Sequence, residues 1–189
     1  MTVSPPPREE IDAGPVRLRP WQAGDVAAMA RAVAESIEHL RPWMPWAAAE
    51  PLSLRDRARL IEESGRQWER GEAFAYGMFD GDRMVGCSGL HARIGPGGLE
   101  IGYWVHPDWM GRGIATATSG ALTSVALALP GVDRAEIHHD RANAASRRIP
   151  EKLGYTLAEE VPDTPKAPGE IGVECRWRMT RGAWVERGA

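Results

Sequence analysis

Val105-His106-Pro107-Asp108-Trp109-Met110-Gly111-Arg112-Gly113-Ile114-Ala115-Thr116 reads as the end of a strand, a short loop and the first turn of a helix. Glycines at 111 and 113 let the backbone turn sharply and lie close to a ligand, because no Cβ intrudes. The helix behind them, over residues 115–129, aims its unpaired N–H groups and positive dipole end back at the loop. A phosphate seated there is held by main-chain amides, and Arg112 adds charge. The segment therefore predicts a strand–loop–helix unit that binds a phosphate-bearing small molecule. A tight turn with no ligand is the plainer alternative, and the helix directly behind the glycines weighs against it.

Upstream, residues 16–20 read as a short strand that Pro20 confines to an edge or an end. Val26, Met29, Ala30 and Val33 recur at helical spacing within residues 25–34. Pro42 and Pro45 then forbid regular helix, yet Trp43, Met44 and Trp46 are too apolar for a plain solvated loop. Ser53 with Asp56 resembles a capping box, and the helix it starts reaches Glu69. Residues 73–79 and 84–92 form a hairpin around Asp80-Gly81-Asp82. Residues 99–105 are the next strand, with Leu99, Ile101, Tyr103 and Val105 on one face and Glu100, Gly102 and Trp104 on the other.

Downstream, Pro130-Gly131 closes the helix. Residues 134–139 are a strand and 143–153 a helix that Gly154 ends in a left-handed cap. Residues 155–160 and 172–180 are strands joined by a proline-rich loop. Antiparallel hairpins followed by strand–helix–strand units predict an α/β (α+β) domain. Its sheet is mixed and mostly antiparallel, with one parallel step and flanking helices.

The chain of 189 residues suits one domain with a full core. Residues 1–14 lack the apolar run of a signal peptide and read as a disordered tail, followed by a domain over 15–181 and a tail over 182–189. A net charge of −3 argues against a nucleic-acid or membrane-surface role, since both need a basic face. No apolar run approaches the roughly 18 residues of a membrane span. Cys87 and Cys175 stand far apart without metal-type spacing, which points to a reducing, cytoplasmic setting. His138 and His139 adjoin on a strand and so point to opposite faces, which disfavours a shared metal.

Three segments resemble the GCN5-related N-acetyltransferase (GNAT) family, in particular its ribosomal-protein N-terminal (RimJ/RimL-like) branch. Residues 100–105 resemble the central strand, 110–116 the pyrophosphate loop, and 143–155 the helix and strand near the thiol end of coenzyme A. Residues 40–46 also resemble a substrate-side loop of that branch. Two departures stand out. Met110 occupies a place usually held by Gln or Arg, and Pro150 falls inside a helix, where it removes a hydrogen bond and kinks the chain.

The resemblance implies direct acetyl transfer from acetyl-CoA to an amine, without a metal. Trp104, Val105, Met110, Gly111, Arg112, Gly113, Ile114, Ala115, Thr116, Asn143 and Ser146 would bind the coenzyme, with the Val105 N–H facing the thioester carbonyl. Ser146 would protonate the thiolate, with Tyr155 as a second candidate. Glu100 is either the base that deprotonates the amine or an ordinary strand carboxylate paired with an arginine. Trp43, Trp46 and Tyr103 either line the acceptor groove or pack in the core. The resemblance further implies a homodimer formed through the last strand.

The acceptor is a protein N-terminus or a small amine. An α-amine of pKa about 7.8 is roughly a quarter neutral at cytoplasmic pH, whereas deprotonating a lysine of pKa about 10.4 costs about 4 kcal/mol. An α-amine therefore tolerates a poor base. A non-catalytic acyl-CoA-binding sensor is the competing reading. A dinucleotide-binding oxidoreductase is disfavoured by Thr116, where Gly or Ala is needed, and by a loop too long for the tight first turn.

Overall fold

A computed structural model describes residues 2–188. Its strands are β1 (Ile11–Asp12), β2 (Arg17–Pro20), β3 (Ala73–Asp80), β4 (Arg83–His91), β5 (Gly98–Val105), β6 (Arg134–Asp140), β7 (Thr156–Pro162) and β8 (Val173–Thr180). The helices are α1 (Val26–Leu40), α2 (Leu54–Glu69), α3 (Ile114–Ala128), α4 (Ala144–Leu153) and α5 (Arg181–Glu186). The strands form one sheet in the order β1-β2-β3-β4-β5-β6-β8-β7. All neighbours are antiparallel except β5 and β6, the single parallel step expected of a strand–helix–strand crossover.

Apolar side chains collect in two cores. Met29 and Val33 of α1 and Ile61 of α2 pack on Phe79 and Met84, with Trp104 against them. Ile114, Leu122 and Ala126 of α3 join Leu99, Ile101 and Ile137 of the sheet in the larger core. Helix α1 runs on past the expected residue 34 to Leu40, because Ser36 and Leu40 continue the buried stripe begun by Met29 and Val33. Ser53 caps α2 by accepting the Asp56 N–H, as its spacing indicates.

Both expected tails are in fact packed. At the N-terminus, Val3 and Ile11 are buried, Ile11–Asp12 pairs with β2, and the Tyr76 hydroxyl donates to the Arg8 carbonyl. At the C-terminus, Trp184 of α5 is buried and its indole N–H donates to Ser124 Oγ. Single apolar residues spaced through a proline-rich or charged stretch give no periodic signal, so neither segment could be read from sequence. The last strand, β8, lies between β6 and β7. It has no free edge for a partner, and the exposed edge belongs to β7.

The feature that positions the site is a divergence. β5 and β6 pair only over Gly98–Glu100 against Arg134–Glu136. Beyond Glu100 the two strands part, while β6 stays paired with β8 along its length.

Candidate active site

The split between β5 and β6 frees one edge of β5. His106 N–H donates to Val85 O at 2.8 Å, which fixes the alternation of the antiparallel β4–β5 ladder. Main-chain groups of Gly102 and Trp104 therefore point to β4, and those of Tyr103 and Val105 point into the split. This register leaves the Val105 N–H pointing into the split and away from β4.

At the end of β5, Gly111 and Gly113 both have positive φ, +74° and +79°. A Cβ built on either would meet nothing within 4 Å, so the loop opens onto free space. Gly113 is the N-cap of α3, and the N–H groups of that helix's first turn point outward there. Arg112 lies over the Trp109 ring at 5.3 Å.

Across the split stands the first turn of α4. Asn143 Oδ1 accepts the Ser146 N–H at 3.0 Å, which caps the helix and fixes the serine. Ser146 Oγ is 3.0 Å from the Tyr103 hydroxyl, and Ser146 O is 3.2 Å from it. The second contact has a covalent origin. Pro150 has no N–H with which to satisfy the carbonyl four residues earlier, and the tyrosine donates to that carbonyl instead. Burial pushes the Tyr103 phenol up, against the opposing Ser146 hydrogen bond, so it remains protonated.

Toward α1 and α2 the split opens into a cavity of about 1190 Å³. Trp43 and Trp46 line it, and the Trp46 ring lies 6.5 Å from that of Trp104. Gly169 N–H donates to Pro42 O at 2.8 Å, and a Cβ at Gly169 would meet that oxygen at 2.7 Å, so the two irregular loops close the rim together. Asp140 Oδ2 holds the second loop by accepting the N–H groups of Ile171, Gly172 and Val173.

The family model of the acetyltransferase (GNAT) domain matches residues 16–156. The chain belongs to the GNAT acetyltransferase family. YdaF of Bacillus subtilis (strain 168), to which a ribosomal N-acetyltransferase activity is ascribed, is 24% identical over 141 residues, 74% of this chain and 77% of that protein. RimL, a ribosomal L7/L12 α-N-protein acetyltransferase solved with coenzyme A, superposes with a TM-score of 0.83 at 22% identity, covering 93% of this chain and 99% of its own. Mycobacterium smegmatis RimJ, solved with a CoA-disulfide, gives a TM-score of 0.78 at 21% identity, covering 100% and 98%.

In this GNAT domain several expected residues sit elsewhere than the sequence placed them. The Trp104 side chain lies on the α1–α2 side with the acceptor loop, leaving only its main chain for a coenzyme. Tyr103 lines the same cavity as Trp43 and Trp46 but from the opposite face, where it packs toward α3 and α4 and meets Ser146. Tyr155 is buried in the core, with its hydroxyl 2.6 Å from Thr123 Oγ1, and it does not line the cavity. His138 and His139 serve different partners, Glu136 and Trp177.

Glu100 reaches the cavity wall but is held by Arg93 through two hydrogen bonds of 2.7 and 2.6 Å. Burial raises its pKa, and the Arg93 hydrogen bonds and charge outweigh that, so the net shift is downward from 4.5. A carboxylate so stabilised is a poor base. Because the folded value is depressed, its stabilisation is complete above the ordinary carboxylate range and is lost as pH falls through the folded value. Glu100→Gln is thus expected to melt below the wild type at pH 7, and the gap is expected to close as pH falls below the ordinary carboxylate value of 4.5. Thermal melts of both proteins across that range check it.

Proposed function

We propose that this chain transfers acetyl from acetyl-CoA directly to a primary amine, most fittingly the α-amine of a protein N-terminus. The arrangement that supports this reading is the Ser146–Tyr103 pair beside the freed edge of β5, one strand-end away from the Gly111–Gly113 loop. Loop and α3 amides would take the diphosphate, and the Val105 N–H would stabilise negative charge growing on the carbonyl oxygen. Ser146 would donate to the departing sulfur, with the Tyr103 hydroxyl, 3.0 Å from Ser146 Oγ, holding the serine in place. When bound, the coenzyme supplies the activated acetyl group.

Seven carboxylates line the cavity, among them Glu63, Asp163 and Glu174, against the three cations Arg57, Arg93 and Lys166. Each of these three carboxylates is paired, Glu63 with Arg66 and Arg70, Asp163 with Lys166 and Glu174 with Arg176. Recognition of the acceptor therefore rests on Trp43 and Trp46, which offer apolar surface to the residues behind the amine. RimL, an α-N-protein acetyltransferase of a ribosomal protein, and YdaF, to which a ribosomal N-acetyltransferase activity is ascribed, are in keeping with a protein acceptor. Both cysteines are free, in keeping with a reducing cytoplasm. The homodimer implied by the resemblance would join along β7 and not β8.

Thiol release from acetyl-CoA over a panel of peptides tests the reading. Peptides with a free N-terminus are expected to turn over, and N-blocked lysine peptides are not. Coenzyme binding without turnover of any amine would replace the enzyme by a sensor. A second variant probes the loop. Forcing an L-residue into the left-handed region costs about 1–2 kcal/mol, and the added methyls would enter the coenzyme's space. Gly113→Val is accordingly expected to raise the calorimetric Kd for acetyl-CoA at least about tenfold, the factor that 1.4 kcal/mol represents.

A further inference from the structure

His91 ends β4 directly opposite Glu100 of β5. Its imidazole lies across two glycines: a Cβ built on Gly89 or on Gly102 would come within 3.4 Å of Nε2. Gly102 belongs to the part of β5 that has already parted from β6, and His91 lines the cavity beside it. The ring therefore occupies the α1–α2 face of the split, opposite the face on which Tyr103 meets Ser146. Paired residues of an antiparallel ladder share a face, so this placement follows from the register.

Resting on the transferase reading, we propose that His91 is the general base, its Nε2 taking the proton from the acceptor's ammonium group. Two protons leave the nitrogen. The first passes to His91 and on to solvent, which frees the lone pair to form the N–C bond. As the C–S bond breaks, the second ends on sulfur, handed over by the Ser146 hydroxyl, which is refilled from the amine side. Acetylated amine, free thiol and one released proton balance the reaction.

The surroundings single out this ring. Among the described residues no hydrogen bond engages either of its nitrogens, whereas His138 Nε2 is committed to Glu136 at 2.8 Å and Glu100 to Arg93. Burial and the Arg93 charge hold the imidazole below its ordinary value, against the opposing pull of Glu100, so it is neutral at pH 7. The titratable groups facing this cavity include Glu50, Arg57 and Glu63 on the α2 side, Cys87 of β4, Tyr103 of β5, His138, His139 and Asp140 of β6, Glu174 of β8, and Asp163, Lys166 and Glu170 of the rim loop. A base on this face and a proton donor on the other put amine entry and thiol departure on opposite sides of one carbonyl.

Kinetics of His91→Gln on two peptides test it, one with a free α-amine and one carrying an aminooxy group that is neutral at pH 7. Removing a general base costs about 10²-fold; that loss in kcat/KM is expected for the amine peptide, with little loss for the aminooxy peptide. The acid limb of the pH profile should move from a midpoint below 6.5 to the amine's own pKa. Added imidazole should restore rate to His91→Ala, and calorimetry should find acetyl-CoA affinity retained, which separates chemistry from misfolding. Equal losses on both peptides, or an unmoved acid limb, would overturn the assignment. No turnover by the wild type would instead sink the transferase reading itself.

Discussion

Ser146→Ala is expected to lower kcat by about 10²-fold, the usual worth of a positioned proton donor, with KM for acetyl-CoA nearly unchanged. The split follows from geometry. The Ser146 N–H caps α4 through Asn143, and an alanine keeps that main-chain bond, so the helix and the coenzyme's surroundings persist. Only the hydroxyl proposed to face the sulfur is lost. Tyr103→Phe should act in the same direction but more weakly, because it removes the group behind the donor and not the donor itself. The double variant should be little worse than Ser146→Ala, since the two hydroxyls are in contact and act as one unit, not additively. Steady-state kinetics on all three proteins check this, and full activity in Ser146→Ala would remove serine from the chemistry.

The second large effect is on stability. Arg57 donates to both oxygens of Glu50 at 2.8 Å, and the two side chains are only 4% and 6% exposed. Truncating one partner strands the other charge in the interior, at a cost of about 3–5 kcal/mol. Arg57→Ala is expected to show that loss in urea unfolding, while a combined Arg57→Met and Glu50→Leu replacement recovers most of it. Glu50 directly follows the 3₁₀ turn Pro45–Ala49 that carries Trp46. The same variant should therefore also weaken the acceptor's KM, whereas coenzyme affinity stays as it was. A loss below about 1 kcal/mol would mean that water reaches this pair and screens it.

The loop geometry and the helix ends were legible in the sequence, because both are local. Gly111 and Gly113 with a helix behind them, the Ser53 cap and the Gly154 stop each act within a few residues, and spacing alone reveals them. The acceptor half was less legible. His91 sits at a strand end among ordinary residues, and its importance arises from Gly89 and Gly102, one on its own strand and one across the ladder. Two small residues paired opposite each other beside a histidine would have been the available signal. Alternation correctly separated Tyr103 from Trp104, but it cannot say which face receives which layer of helices. Tyr155 was misjudged for a similar reason: its Thr123 partner is 32 positions away. The packed termini escaped because isolated apolar residues such as Val3 and Trp184 have no period to detect.

The two separate cores make the sheet a partition between halves that answer to different demands. Helices α1 and α2, with the Trp43–Trp46 loop, rest mainly on a small cluster of their own. Trp68 of α2 and the Glu35–His106 contact of α1 tie it to the larger one, which holds α3 and its loop. Substitutions that reshape the recipient's chamber can therefore accumulate without unseating the carrier's berth, provided that Trp68 and Glu35 are kept. The domain is in this sense modular within a single fold, and grafting an α1–loop–α2 segment from a relative onto this scaffold is a rational route to retargeting it.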